Sequence, residues 1–146
     1  MKKPASHRVK ETKSKQGALA RALVRKLDFI FQRYYHQSIQ EITTEFELHN
    51  AFESVPPTPE QLITVIRSSR ILHMRSATPV VEMRDALDRF VSGTLGSCRT
   101  CGRRIPSQLL EENPLIATCT ECQLELSSRI YSPIDSRRLM PGHHDP

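Results

Sequence analysis

Four cysteines constrain this chain more than any other feature. They stand at Cys98, Cys101, Cys119 and Cys122, a C-x2-C-x17-C-x2-C pattern, and the 146 residues contain no other cysteine. Two residues between paired cysteines let both sulfurs face a single point about 2.3 Å away. Gly102 follows the first pair, where a metal knuckle often needs a positive φ so that backbone N–H groups turn toward the thiolates. Two such knuckles make a closed tetrahedral shell. A closed shell is structural, because a catalytic zinc keeps one position open for water. One structural Zn2+ held by Cys98, Cys101, Cys119 and Cys122 is therefore expected. Two disulfides would suit an exported chain, and a four-thiolate iron site has the same geometry. A redox C-x-x-C would need a βαβ context that the pattern lacks. Zinc is preferred over these alternatives.

The histidines add no second site. His7, His143 and His144 fall in the terminal segments, and His36, His49 and His73 are isolated on helical stretches. Glu121, inside the second knuckle, reads as a solvated side chain. Arg99, Arg103 and Arg104 surround the first knuckle, where they either offset the formal charge of four thiolates around a dication or form a contact patch.

The remainder reads as helix. Only 38% of residues are hydrophobic and 5% aromatic, with no Trp, so a thick two-layer core is not expected. Leu19, Leu23, Leu27, Ile30 and Tyr34 recur at helical spacing, and Ile39, Ile42 and Phe46 continue nearly the same stripe. No Gly or Pro interrupts it between Gly17 and Phe52, which predicts a helix of about 35 residues and about 50 Å. Pro56, Pro57 and Pro59 end it. Thr58 then reads as an N-cap with Pro59 at the first helical position. Leu62, Ile63, Ile66, Ile71 and Met74 resume the pattern, Thr78-Pro79 marks a kink or restart, and Val80, Val81, Met83, Leu87, Phe90 and Val91 carry it to Gly93.

The expected fold is mainly α: a long antiparallel helical hairpin, or coiled coil, with a small C-terminal four-cysteine zinc finger and a terminal helix. The organisation read from the sequence is a disordered basic tail over 1–15 and a hairpin over 16–94 with its tip near 54–59. A zinc-finger module with a helix from Cys119 to Tyr131 occupies 95–131, and a flexible tail 132–146.

Charge is distributed unevenly. Lys2, Lys3, Arg8, Lys10, Lys13 and Lys15 face only Glu11 in the first 15 residues, which accounts for the whole net charge of +5. The rest is balanced, so the body lacks the basic footprint of a nucleic-acid-binding domain. The tail reads as a solvated arm, or as an arm touching nucleic acid or an acidic protein surface. No apolar run of 18 residues is present for a membrane span, and the N-terminus lacks the apolar stretch of an export signal. A cytoplasmic protein with no membrane partner is expected. No phosphate loop, nucleophile elbow or H-E-x-x-H motif is found, and Glu45, Glu47, Asp85 and Asp88 sit at ordinary helical-surface spacings, so no enzyme is expected.

Residues 82–131 resemble the DksA/TraR family of zinc-finger transcription regulators. The resemblance rests on Ala86-Leu87, Arg89, Gly93, Gly96, Cys98, Cys101 and Gly102, then Ile105, Leu110, Pro114, Cys119 and Cys122. It implies binding to RNA polymerase through its secondary channel, with the hairpin inserted and no sequence-specific contact with promoter DNA; a monomer is expected. The family's hairpin-tip positions fall on Val55, Thr58 and Glu60, without the two aspartates of fully active regulators. Its basic positions for the alarmone ppGpp fall on Glu82, Asn113 and Gln123, so a weak alarmone response is expected. The rival readings are a zinc-ribbon nucleic-acid-binding protein and a helical adaptor.

Overall fold

The computed structural model describes residues 5–130, which are mainly helical and contain no strand. Helix α1 spans Ala5–Ile30 and runs into a π-helical turn, Phe31–Tyr35. Helix α2 (Ile39–Glu45) and a 3-10 turn (Leu48–Ala51) lead to α3 (Pro59–Ser69). A second 3-10 turn (Ile71–Met74) precedes α4 (Thr78–Ser92), and α5 (Ser107–Glu112) and α6 (Thr120–Ile130) flank the cysteines. The segment expected to be a disordered tail is helical from Ala5 onward. Arg8, Lys10, Glu11, Lys13 and Lys15 are good helix formers and favour helix even without an apolar stripe. Residues 1–4, Tyr131 and the expected flexible tail 132–146 lie outside the described residues.

The single helix expected up to about Phe52 is divided. His36 adopts the left-handed conformation (φ 58°) and stops the π turn. Ser38 then starts α2 with a capping box: its hydroxyl accepts from the Glu41 N–H, and Glu41 accepts from the Ser38 N–H. Asp28 fixes the reversal, accepting from the Ile39 N–H at 2.8 Å and from Gln32 Nε2 at 2.7 Å. The apolar stripe was legible, but its continuity along one rod was not, because the turn re-aims Ile42 into the core that Leu27 and Ile30 already line. Replacing the Ser38 cap with Ala is expected to cost about 1 kcal/mol, read as a lower urea midpoint with an unchanged slope.

Helix α3 begins as expected, with Thr58 capped reciprocally by Gln61 and Pro59 in the first turn. The second expected helix is also divided. Arg70 takes a left-handed conformation (φ 60°). Ser69 donates to the Ile66 carbonyl at 2.6 Å, a back-bond that competes with helix continuation. Helix α4 restarts at Thr78-Pro79 and ends on Gly93 at φ 80°, where a residue with a Cβ would be strained.

Two contacts show that α1 and α3 run in the same direction. A Cβ on Gly17 would stand 3.9 Å from Glu60 Oε1, and the Tyr35 hydroxyl donates to the Ile71 carbonyl at 2.9 Å. Helix α4 runs antiparallel to α3, with Arg67 paired to Asp88 at 2.7 Å and Arg84 beside His73 at 3.2 Å. In place of two uninterrupted helices, α1, α3 and α4 enclose one core of Leu23, Leu27, Ile30, Ile63, Ile66, Val80, Met83 and Leu87. Interrupting the helices forfeits a handful of backbone hydrogen bonds, about 1 kcal/mol net each. It brings Phe31, Ile42, Ile71 and Leu72 to 2% exposure or less, at about 1.5–3 kcal/mol per side chain. Burial wins. Among the described residues no helix is long and apolar enough to cross a membrane.

Candidate metal centre

The first knuckle is a tight reversal built on backbone hydrogen bonds. The Cys98 N–H donates to the Arg103 carbonyl at 2.8 Å, and the Gly102 N–H to the Cys98 carbonyl at 2.9 Å. An isolated antiparallel bridge, Ser97 to Arg104, closes the base. Gly102 stands at φ 75°, as its place after the cysteine pair predicts. Gly96, at φ 97°, also lies so close to Leu110 that a Cβ would meet its Cδ1 at 3.2 Å. The second knuckle is the start of α6, where the Cys119 carbonyl accepts from the Gln123 N–H at 3.0 Å.

The spacing brings all four sulfurs together. They lie within 4.8 Å of one another, and Cys101 Sγ is 3.7 Å from Cys119 Sγ. A tetrahedral metal with bonds of about 2.3 Å holds its sulfurs about 3.8 Å apart, so the donor set fits a four-coordinate thiophilic ion. The cysteines are free thiols, unpaired with one another. Cys98, Cys119 and Cys122 are buried among Ile105 and Leu110, while Cys101 is exposed. Leu19 of α1 packs on this small cluster and on the main core alike.

Polarity within the cluster is graded. Backbone N–H groups of Cys101, then Cys119, turned toward Cys98 lower its pKa to about 6 despite burial. Cys122 is shifted the other way, because its thiol is hydrogen-bonded to Cys119 and desolvated. The cluster thus favours holding one thiolate at Cys98 with its neighbours donating to it. A lowered pKa in the folded chain gives stability that is complete above the ordinary thiol range and is lost as pH falls through about 6. Metal affinity is expected to fall steeply over that same window as protons compete for the sulfurs. Competition with a chromophoric chelator between pH 8 and pH 5 measures it, and a flat profile would contradict a thiolate site.

Two of the three arginines around the first knuckle are held in ion pairs. Arg99 grips Asp85 of α4 with one Nη at 2.7 and 2.8 Å, and Arg103 pairs with Glu121 at 2.9 Å across the knuckles. Glu121 and Asp85 are therefore not merely solvated, as the sequence suggested. Asp85 also faces Arg89, whose Nε is 3.1 Å from Oδ2. That N–H is too poorly aligned to count as a hydrogen bond. The Arg89 side chain is 11% exposed and its Nη1 reaches the Ile116 carbonyl at 3.5 Å. Arg89, Asp85 and Arg99 thus join α4 to the knuckles. Sequence reading missed this joint, although Asp85 and Arg89 stand four residues apart on α4, a spacing that pairs opposite charges.

The hairpin-tip residues are not brought to the metal centre. Val55 is 95% exposed in the loop before α3, Thr58 is spent on the helix cap, and Glu60 lies in the first turn beside Gly17. Glu82, Asn113 and Gln123, by contrast, come from three separate segments and line one groove with Phe29, Tyr34 and Leu115. No family model, curated protein or solved structure matches the chain.

Proposed function

We propose that this protein is a structural-zinc transcription regulator of the DksA/TraR type, a cytoplasmic monomer that binds RNA polymerase rather than promoter DNA. The observation that carries this reading is the groove shared by Glu82, Asn113 and Gln123. The resemblance assigns those positions to one ligand, although they are 31 and 10 residues apart, and their convergence supports the residue matching. Zinc suits the all-thiolate shell and its closed, largely buried setting. The balanced charge beyond the tail favours a protein partner over a nucleic-acid backbone.

Entry into the secondary channel rests on a shorter arm than the sequence predicted. Helix α3 has 11 residues, a rise of about 16 Å, and the loop before it presents Val55. Contact at the channel mouth, without a long probe, is the form this reading takes. Acidic Glu82 in the groove would repel phosphates, so ppGpp is expected to alter the protein's effect little.

Affinity capture of the metal-loaded chain from its native host tests the reading. Core polymerase subunits are expected in the eluate, displaced by a known secondary-channel factor. Their absence, with the protein folded and metal-loaded, would sink it. Binding to bare DNA or RNA with a steep salt dependence would favour the nucleic-acid reading instead.

A further inference from the structure

The turn that divides the second expected helix carries a concentration of positive charge with its own geometry. Arg70 and His73 are exposed and Arg84 half-buried, and all three line one small hollow floored by Ile66, Leu72 and Leu87. Among the described residues neither Arg70 nor Arg84 has a carboxylate partner. The hollow has one acid, Asp88, and Arg67 already holds it at 2.7 Å. Arg75 adds a further cation nearby, its guanidinium 5.5 Å from the Tyr35 ring, and both Arg75 and Arg84 act on the Tyr35 hydroxyl.

The imidazole is already oriented. Arg84 Nη1 is 3.2 Å from His73 Nδ1. A guanidinium only donates, so Nδ1 accepts and the proton of neutral His73 sits on Nε2. That leaves the Nε2–H as a donor on a hollow that Arg70 and Arg84 also line. The backbone pays for the arrangement at Arg70, which holds a left-handed φ of 60° without being glycine. Planar forks with several N–H donors match the oxygens of a phosphate group.

We propose that the mouth of this hollow is a phosphate-binding site, with Arg70, Arg84 and His73 donating to one phosphate group. The ligand is a nucleotide or a phosphodiester of a nucleic-acid backbone, which share that chemistry. The site stands apart from the groove of Glu82, Asn113 and Gln123 and does not depend on polymerase binding. Desolvation, then Arg84 and Arg70, lower the His73 pKa in the free protein while Asp88 opposes them, so a bound dianion should raise it.

The test follows the His73 ring by NMR in the full metal-loaded chain, titrated with inorganic pyrophosphate, adenosine diphosphate and a ten-nucleotide single-stranded RNA. Saturable movement of the His73 signals is expected, with the imidazole titrating at higher pH in the complex. Saturation by pyrophosphate and the diphosphate identifies a nucleotide site, and saturation by RNA alone identifies a backbone site. Arg70→Gly suits the left-handed backbone and should keep the fold while weakening binding at least tenfold, and Arg84→Ala should do likewise. Arg104→Ala, at the metal knuckle, should leave binding unchanged. No movement of His73 with any of the three probes would overturn the proposal. So would equal weakening by Arg104→Ala, or wild-type affinity in Arg70→Gly.

Discussion

Removing the metal, or replacing Cys101 with Ser, is expected to unfold residues 95–130 while most of the helical signal of α1, α3 and α4 persists. The module has little else to hold it. Its buried residues are three cysteines, Ile105, Leu110 and Pro114, supported by Leu19, Leu109 and Ile116, far below what a domain needs to fold on apolar burial alone. Structural zinc supplies about 10–16 kcal/mol of apparent binding energy at neutral pH, enough to decide between folded and unfolded. Without it, burial of Cys122 as a neutral thiol and the Cys98 thiolate remain, and neither replaces four metal–sulfur bonds. Hydrogen exchange should show rapid loss of protection across 95–130 after chelation, with circular dichroism retaining the signal of the longer helices. Elemental analysis should find one zinc per chain. Full protection of the module without metal would show that its core suffices, and iron in place of zinc would overturn the assignment.

Asp85→Ala is expected to lower stability by about 2–3 kcal/mol, much more than its position on a helix surface suggests. The change strips the partner from Arg89, whose guanidinium is largely buried, and releases Arg99. Leaving a buried cation unpaired is costly, whereas the Arg99 side chain is 59% exposed and its pairing is worth at most about 1 kcal/mol. Urea unfolding of metal-loaded variants distinguishes the two contributions. Asp85→Ala should move the midpoint well beyond Arg99→Ala. Equal shifts would mean that Arg89 finds another partner and that the joint is only a surface pair.

The parts of this fold that were legible in the sequence share a cause: each is specified within a few residues. The knuckles follow from C-x2-C spacing and Gly102, the start of α3 from Thr58, Pro59 and Gln61, and the end of α4 from Gly93. The helix breaks were less legible for two different reasons. Ser38 and Glu41 have the spacing of a capping box, a signal that the unbroken apolar stripe masks. His36 and Arg70 carry no local preference strong enough to announce a left-handed backbone, so tertiary burial decided those turns. The joint between Asp85 and Arg99 bridges 14 residues, and the groove joins α1, α4 and α6. Pairings of that range depend on how helices pack, which one sequence does not spell out. The clustering of the four cysteines was therefore foreseeable and its attachment to the helices was not.

Leu19 is shared by the main core and the cysteine cluster, and this limits how the protein can be taken apart. A zinc finger is commonly treated as a portable unit that can be excised and grafted. Here part of the cysteine module's apolar packing comes from a residue more than 70 positions upstream. Cut out at residue 95, the module would present a bare apolar face where Leu19 had lain. Transplanted to another scaffold, it would have to bring a stretch of α1 with it. Recombination that exchanges only the C-terminal third is therefore expected to lose the packing that Leu19 supplies.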